Sequence, residues 1–224
     1  MDNKPKMHKE DNYIIDRYSK IGYDEPSMKV FLAEIYETLS RYLRLSKDMS
    51  FLDIGSGKGY FLKYLKEMGF LNLMGIDPIE GFLSDNVFGN ISLGSFERNS
   101  FSDNAFDIVF CCHTLHHLKQ KYPVYALQEM FRISKKYIVI VEINNTNIPV
   151  FLISLLNFRY EKNAVFYNKL HILSLIRKIE KLNTVYTGNL NCSYISGGSF
   201  FYKIASRFGA RPYNIFILEK SLQE

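Results

Sequence analysis

Three glycines lie within five positions in the stretch FLDIGSGKGYFLKYL, residues 51–65. Glycine in a turn allows a positive φ and lets another group come close to the backbone. The apolar run Phe51–Ile54 precedes these glycines, and a helical pattern begins near Gly59. A loop of this kind before a helix gathers unpaired N–H groups and the positive end of the helix dipole at one point. The stretch therefore predicts a binding site for a polar or anionic part of a ligand.

Two common nucleotide-binding motifs do not fit this loop. A P-loop needs G-x-x-x-x-G-K-[ST], but Gly59 follows Lys58 and Leu52 takes the place of the first glycine. A dinucleotide fold needs G-x-G-x-x-G, and the third glycine is missing at that spacing. The loop therefore favours a nucleoside cofactor without a pyrophosphate.

A carboxylate follows at the spacing that such a cofactor would need. The segment LNLMGIDP brings Asp77 and Pro78 to the end of a second apolar run, about twenty residues after the loop. Asp77 could accept hydrogen bonds from both ribose hydroxyls, or it could cap a helix that starts at Pro78. Because ligands bind at the carboxyl ends of strands in open sheets, we interpret Asp77 as a ribose-binding residue.

Three histidines, His113, His116 and His117, follow another apolar run. The H-x-x-H spacing could place two imidazoles on one helix face, but no third ligand stands at a recognisable spacing, so we expect no metal. One alternative is a short helix with one histidine packed and one exposed. In the other, His116 or His117 is the catalytic residue and takes a proton from an oxygen or carbon acid, since imidazole titrates near neutral pH.

Strand-like and helix-like segments alternate along the chain and would position these residues. Strands that are nearly all apolar and separated by helices indicate a parallel sheet covered on both faces. The predicted strands are 51–54, 71–76, 91–93, 106–112, 137–143, 185–190 and 214–218, and the predicted helices are 12–45, 60–68, 122–133 and 166–179.

The segments LDIGSGKG, GIDP and FDIVFCCHTLHHL, in this order and spacing, resemble the class I S-adenosylmethionine-dependent methyltransferases. Their pattern looks closest to the branch that includes the ubiquinone- and menaquinone-biosynthesis methyltransferases, and the resemblance covers about residues 40–145. It implies an α/β fold: a Rossmann-like, doubly wound, seven-stranded and mostly parallel sheet with helices on both faces and the last strand antiparallel. It also implies an enzyme with S-adenosyl-L-methionine as its cofactor.

The resemblance further implies which residues bind the cofactor. Asp53 would hold the methionyl amino group, directly or through water, the glycine loop would line the methionine tail and ribose, and Asp77 would bind the ribose hydroxyls. The complete implied set is Asp53, Gly55, Ser56, Gly57, Gly59, Asp77, Pro78, Ser95, Phe96, Cys112 and His113.

The adenine and methionyl ends are assigned in the same way. Pro78 would lie against the adenine, Ser95 and Phe96 would flank its edge, and Cys112 and His113 would close over the methionyl part. The family often has Asp where this chain has Ser95. The resemblance therefore implies that the Ser95 hydroxyl or backbone carbonyls recognise the adenine amino group.

Length and composition bound the rest. The 224 residues suit one domain, which we divide into a tail and helical lid (1–45), a cofactor-binding core (46–145) and an acceptor-pocket segment with closing strands (146–224). The charged N-terminus lacks the apolar stretch of a signal peptide, so we expect a cytoplasmic protein. In the outline of the family, Glu142, Asn144 and Asn145 would help to shape the acceptor pocket.

The net charge of +5 comes from the last third of the chain. Residues 151–224 contain 10 Lys or Arg and 4 Asp or Glu, and they begin with the apolar run VFLISLLNF that leads to Arg159. The basic residues form either a solvated face or a surface for an anionic partner, and the run forms either a core helix or a lipophilic patch.

From these features we expect a small-molecule or lipid-linked acceptor, such as a hydrophobic or glycan-type metabolite, with peripheral membrane contact and no nucleic-acid partner. The tetrad N/D-P-P-Y/F, common in methyltransferases that act on exocyclic amines, is replaced by CCHT at residues 111–114. The alternatives are RNA methylation, a non-catalytic nucleoside-binding protein of the same fold, and a nicotinamide oxidoreductase.

Overall fold

The structure, a computed structural model, describes residues 25–118, 122–156, 168–191 and 211–221. Seven strands within these ranges form one sheet: β1 (Ser50–Ile54), β2 (Asn72–Asp77), β3 (Ile91–Leu93), β4 (Phe106–Cys112), β5 (Ser134–Ile143), β6 (Leu182–Leu190) and β7 (Tyr213–Lys220). Their order across the sheet is β3-β2-β1-β4-β5-β7-β6. β7 is antiparallel to both of its neighbours and the other strands are parallel, as the sequence predicted.

Helices cover both faces of the sheet. They are α1 (Glu25–Tyr42), α2 (Tyr60–Glu67), α3 (Glu80–Ser84), α4 (Tyr122–Ile133), α5 (Ile148–Leu156) and α6 (Lys169–Ile176), with a 3₁₀ turn at Leu115–His117. The apolar side chains of α1 and α2 belong to the core on one face, and those of α4 and α6 belong to the core on the other. The prediction of a Rossmann-like, doubly wound sheet is confirmed.

Strand β4 shows why the central strands are apolar along their whole length. Ile108 and Phe110 point into one core, whereas Val109 and Cys111 point into the other. Successive side chains of a strand alternate between the two faces, so a strand with helices on both sides needs apolar residues at every position.

The predicted elements differ from the observed ones mainly at their ends. β3, β4 and α4 have the predicted bounds, whereas β5 begins at Ser134 rather than Tyr137 and β6 begins at Leu182 rather than Val185. The early residues of β5 and β6 include exposed polar ones, so the apolar pattern covers only the later part of each strand. The part of the first predicted helix before residue 25 lies outside the described residues.

Helix α1 packs on one face of the sheet and is hydrogen-bonded to the residue after β6. Its four-residue apolar step buries Phe31, Ile35 and Leu39 against the sheet. The Glu34 carboxylate accepts hydrogen bonds from the backbone and side-chain nitrogens of Asn191, at 2.7 and 3.0 Å, just after β6 ends. These contacts fix the position of the helix next to the site described below.

The apolar run and the basic residues of the last third of the chain lie in different parts of the fold. α5 carries exposed apolar side chains at Ile148, Leu152 and Leu155, although Val150 of the same helix is buried. Arg177, Lys178 and Lys181 precede β6, and they therefore lie at the amino edge of the parallel strands. Lys169, Arg211 and Lys220 lie at the start of α6, before β7 and at the end of β7, whereas Arg159, Lys162, Lys203 and Arg207 lie outside the described residues. Within the described ranges, no helix combines the length and apolar character needed to cross a membrane.

Candidate active site

A cavity of about 370 Å³ opens at the carboxyl ends of β1, β2 and β4. This volume falls within the range of small-molecule and cofactor sites. The predicted site residues that line it are Asp53, Gly55, Ser56, Gly57, Asp77, Pro78, Ser95, Phe96, Cys112, His113 and His117. The topology thus brings together residues from four separate segments, because the carboxyl ends of neighbouring parallel strands meet at one edge of the sheet.

The glycine loop is needed for its backbone conformation. Gly55, Gly57 and Gly59 all have positive φ angles, of 77°, 53° and 80°. A Cβ at Gly55 would collide with the Thr114 side chain, whereas one at Gly57 would meet no atom within 4 Å. Gly55 therefore permits close packing of the loop on the segment after β4, and Gly57 leaves space on the cavity side.

Asp77 ties the loop to β2. One of its carboxylate oxygens accepts a hydrogen bond from the Gly57 N–H at 2.8 Å, and the other accepts one from the Ile79 N–H at 2.9 Å. Burial raises the pKa of this carboxyl to about 6, although the hydrogen bonds from the two N–H groups lower it in part. Asp77 therefore lines the cavity and also caps the following turn, so the capping contact is present and ribose binding stays a prediction.

Asp53 has the more unusual environment. Its side chain is 4% exposed, and its Oδ1 atom has no hydrogen-bond partner among the described residues. Burial, followed by the nearby charge of Asp77, raises the pKa of Asp53 to about 8. A buried carboxylate oxygen without a partner is costly, so this position suits a ligand that brings a cation or a hydrogen-bond donor.

Two predicted residues are placed differently from the expectation. Gly59 does not line the cavity; it is the residue before α2, and a Cβ there would contact Phe88 and Ile91. The Ser95 hydroxyl accepts hydrogen bonds from the N–H groups of Glu97 and Arg98, both at 3.2 Å. Its oxygen is thus occupied as an acceptor, and its proton suits a ring nitrogen better than an amino group.

Several lining residues could not be identified from the sequence. An entire apolar wall comes from α1, through Met28, Phe31, Leu32 and Ile35. Their spacing predicted a helix with a buried face, but it did not indicate that part of this face covers a cavity rather than the sheet.

The segment after β4 turns sharply into the cavity wall. His113 has a φ of 55°, which is uncommon for a residue other than glycine, and burial lowers its pKa to about 3. Its ring packs edge-to-face on Tyr213 with centroids 4.4 Å apart, and Tyr213 in turn contacts Phe31 of α1 at 5.1 Å. An uncharged His113 therefore connects the wall to α1 through aromatic packing.

The two candidate catalytic histidines occupy different environments. His117 is exposed and lines the cavity, whereas His116 is 2% exposed and does not line it. The rings lie 4.1 Å apart and are tilted by 47°. One histidine packed and one exposed is the arrangement that the sequence offered as its first alternative, but the exposed one faces the cavity.

The residues expected to shape the acceptor pocket do not line this cavity. Glu142, Asn144 and Asn145 are all buried, and Glu142 is fully so. The Asn144 side chain donates to the Arg211 carbonyl at 2.8 Å, and the Glu142 carboxylate faces His116. In the described ranges, no cluster of three or more His, Cys, Asp or Glu side chains could hold a metal ion.

The central part of the chain matches a known domain family. Residues 52–140 match the family model of a methyltransferase domain. The tRNA U34 carboxymethyltransferase of Helicobacter pylori (strain HPAG1) is 32% identical over 104 residues, 41% of this chain and 38% of that protein. The enzyme of the same name from Helicobacter acinonychis (strain Sheeba) is 31% identical over 102 residues, 40% of this chain and 37% of that protein. The chain thus spans under two fifths of the length of each relative.

Solved structures share the fold over nearly the whole chain. A SAM-dependent methyltransferase from Thermotoga maritima has a TM-score of 0.67 at 18% identity, covering 96% of this chain and 100% of that one. Magnesium protoporphyrin IX methyltransferase from Synechocystis PCC 6803, with bound SAH, has a TM-score of 0.68 at 14% identity, covering 94% and 96%. The family match covers residues 52–140, and the solved structures show that the chain has the fold of these S-adenosylmethionine-dependent methyltransferases.

Proposed function

We infer that the chain is an S-adenosylmethionine-dependent methyltransferase, and we propose that its acceptor is a small molecule with an oxygen or carbon acid on an apolar body. The observation that carries this proposal is the cavity itself. It combines a buried carboxylate oxygen without a partner in Asp53, a glycine loop tied to Asp77, and an apolar wall with His117 at its edge. The family match within residues 52–140 supports the reaction class.

The lining fits the proposed cofactor. The Asp53 Oδ1 atom would accept from its ammonium group, and Asp77 would accept from its ribose hydroxyls. Phe96 is buried and lines the cavity, so it offers an apolar surface for the adenine. The open side of Gly57 leaves room for the part of the cofactor between the adenine and the ammonium group. When bound, S-adenosylmethionine supplies an electrophilic methyl group on a positively charged sulfur.

His117 is the better candidate for a proton acceptor. A displacement at a sulfonium methyl group needs alignment above all, and a base is needed only when the acceptor must lose a proton. His117 lines the cavity and is exposed, so its ring can reach an acceptor, whereas His116 is enclosed behind it. We therefore assign proton removal to His117 and a supporting part to His116.

The acceptor class follows from the surroundings of the cavity. Its α1 wall is apolar, and α5 offers the exposed apolar residues Ile148, Leu152 and Leu155. We propose an acceptor such as a quinone precursor, a lipid-linked sugar or another hydrophobic metabolite, with α5 in peripheral contact with a membrane. Membership of the ubiquinone- and menaquinone-biosynthesis branch is part of the same proposal.

RNA methylation is a second candidate because the curated relatives are tRNA-modifying enzymes. Phosphate contacts would require basic side chains near the cavity. Arg177, Lys178 and Lys181 lie at the opposite edge of the sheet, whereas Lys58 lines the cavity and Arg211 precedes β7 at the cavity's edge. We favour the small-molecule proposal because the α1 wall of the cavity is apolar.

The test is incorporation of label from S-adenosylmethionine carrying a radioactive methyl group. The protein is incubated with bulk tRNA, a total lipid extract and a polar metabolite extract, and the labelled product is isolated. We expect label in a lipid or polar small molecule, and label confined to tRNA would overturn the acceptor proposal.

With the labelled fraction as acceptor, H117A should lower the turnover rate by about 10²–10⁴-fold while calorimetry shows unchanged cofactor affinity. Equal turnover in H117A would remove His117 from the chemistry.

A further inference from the structure

Glu142 makes an unusual set of contacts for a residue that does not reach the cavity. It lies near the end of β5 and is fully buried, with its carboxylate turned towards the segment after β4. Oε1 accepts hydrogen bonds from the N–H groups of Thr114, at 3.1 Å, and Leu115, at 2.7 Å. The first N–H groups of a helical turn have no partner within the turn, so Glu142 caps the 3₁₀ turn from a neighbouring strand.

The other oxygen of Glu142 determines the state of His116. Oε2 lies 2.7 Å from Nδ1 of His116, and both side chains are almost completely enclosed. Burial alone would raise the pKa of Glu142, but His116, His113 and His117 lower it to about 2. An ionised carboxylate can only accept hydrogen bonds, so Nδ1 of His116 must carry a proton.

These bonds reach the cavity through the segment that they hold. Thr114, His117 and Leu118 line the cavity, and each lies within three residues of a group bonded to Glu142. The His117 ring packs on the His116 ring at 4.1 Å, so the orientation of one ring restricts the other. Hydrogen bonds in a buried network restrict the arrangement of its members.

We propose that Glu142 is a positioning residue, which caps the turn at Leu115–His117, fixes His116 with its proton on Nδ1 and thereby holds His117 at the edge of the cavity. The part of this inference that concerns turnover rests on the proposed function. The part that concerns the histidine tautomer and the segment does not. Glu142 touches neither the cavity nor a reacting atom, so it acts through His116 and the turn.

The substitution E142Q separates these contacts. Glutamine keeps a carbonyl oxygen that can accept from Thr114 and Leu115, but it places an amide N–H₂ group against Nδ1 of His116. Two donors cannot bond to each other, so His116 should move its proton to Nε2. The readout is the pair of His116 ring ¹⁵N shifts by NMR, which distinguishes the two tautomers without any acceptor. A spectrum of E142Q with the proton still on Nδ1 would overturn the inference.

Turnover supplies the second readout. With the labelled fraction identified above as acceptor, E142Q should lower kcat by at least about tenfold. The loss should not exceed the 10²–10⁴-fold decrease expected for H117A. In a H117A background the same substitution should cost little more, because residues that act as a unit are not additive. A tautomer change with full turnover would show that the arrangement has no effect on the reaction, and would also overturn the inference.

The control is E67Q, which removes the same charge from α2. Glu67 is exposed and pairs with Lys63 at 3.9 Å, so neither readout should change. If E142Q does not fold, H116F tests the same bond from the other side, since a phenylalanine ring can pack on His117 but cannot donate to Glu142. H116F should bind S-adenosylmethionine within about threefold of the unsubstituted chain and lose turnover, and full turnover would contradict the proposal. Failure of the unsubstituted chain to bind S-adenosylmethionine would instead refute the proposed function, leaving the tautomer result to decide the inference.

Discussion

At the scale of single residues, the cavity depends on two buried carboxylates whose surroundings differ. Asp77 has an N–H donor on each oxygen, whereas Asp53 has an oxygen without a partner. Hydrogen bonds to the ionised form favour it, and burial without them disfavours it. The two carboxyls therefore have separate pKa values, about 6 for Asp77 and about 8 for Asp53.

This difference predicts that cofactor binding releases a proton. At pH 7 the ligand-free protein holds a proton on Asp53, and a cationic ligand would bind the ionised form, so about one proton should leave. Titration calorimetry in buffers of different ionisation enthalpy measures this number directly. The affinity should also rise between pH 6 and pH 8. D53N should abolish the release, and heats that do not depend on the buffer would contradict the assignment.

The raised pKa of Asp53 also makes the stability of the ligand-free protein depend on pH. The folded pKa of Asp53 lies above its unfolded value, so the folded state binds the extra proton between about pH 4 and pH 8. The free energy of unfolding of the ligand-free protein should fall across that range. Urea denaturation at a series of pH values checks this, and D53N should reduce the slope.

Asp77 predicts a graded loss of cofactor binding. D77A removes an acceptor for the ribose and the bond that holds Gly57, and each hydrogen bond to a charged group is worth about 1.5–3 kcal/mol. We expect S-adenosylmethionine affinity to fall by about 10- to 150-fold. D77N keeps one acceptor oxygen and should lose less. Unchanged affinity in D77A would leave Asp77 as a cap only.

At the scale of elements, the loop between β1 and α2 and the segment after β4 depend on each other. Gly55 packs directly on Thr114, and Thr114 donates its hydroxyl hydrogen bond to the Cys112 carbonyl at 2.9 Å. The loop cannot move towards the sheet without displacing the segment that carries His113 and His117. The two elements therefore form one rigid wall of the cavity.

Alanine substitutions at Gly55 and Gly57 distinguish a glycine needed for packing on Thr114 from a glycine needed to leave space for a ligand. G55A places a methyl group against Thr114 at a positive φ, so it should lower the free energy of unfolding by at least about 1–3 kcal/mol. G57A has a similar φ but no neighbouring atom, so its cost should come from the backbone alone while cofactor binding is weakened. Urea denaturation and calorimetry on the pair give both quantities. Equal stability losses would contradict the packing argument.

At the scale of the whole molecule, one group of basic residues and the cavity lie at opposite edges of the sheet. The cavity lies at the carboxyl edge of the parallel strands, and Arg177, Lys178 and Lys181 lie at the amino edge. The exposed apolar residues of α5 follow β5 at the carboxyl edge. The described residues thus place exposed apolar surface on the side of the sheet that holds the site, together with Lys58 in the cavity wall and Arg211 before β7.

This arrangement predicts different responses to lipid and to RNA. Sedimentation with anionic vesicles should detect the protein in the pellet, and L152D should reduce that fraction. Retention of tRNA on filters should be weak and should disappear at moderate salt, because phosphate contacts release counterions. Tight tRNA retention at moderate salt, together with methyl incorporation into tRNA, would favour the second candidate function.

The sequence by itself determined the elements and the edge of the sheet at which the site forms. The apolar strands of β1, β2 and β4, the glycines after β1 and the carboxylate after β2 are local patterns, and local patterns are sufficient to predict strands, turns and the residues that follow them. Gly57 and Asp77 could be named for this reason. The family resemblance was needed to name Asp53.

Only the tertiary structure decided which residues face one another. Gly55 and Thr114 are 59 positions apart, and the bonds of Glu142 reach residues 26 to 28 positions away. The α1 wall of the cavity comes from a separate element. A helical spacing shows that a face is buried, but it does not show against what. The direction of the Glu142 carboxylate and the difference between His116 and His117 depend on side-chain packing across strands, which no local pattern contains.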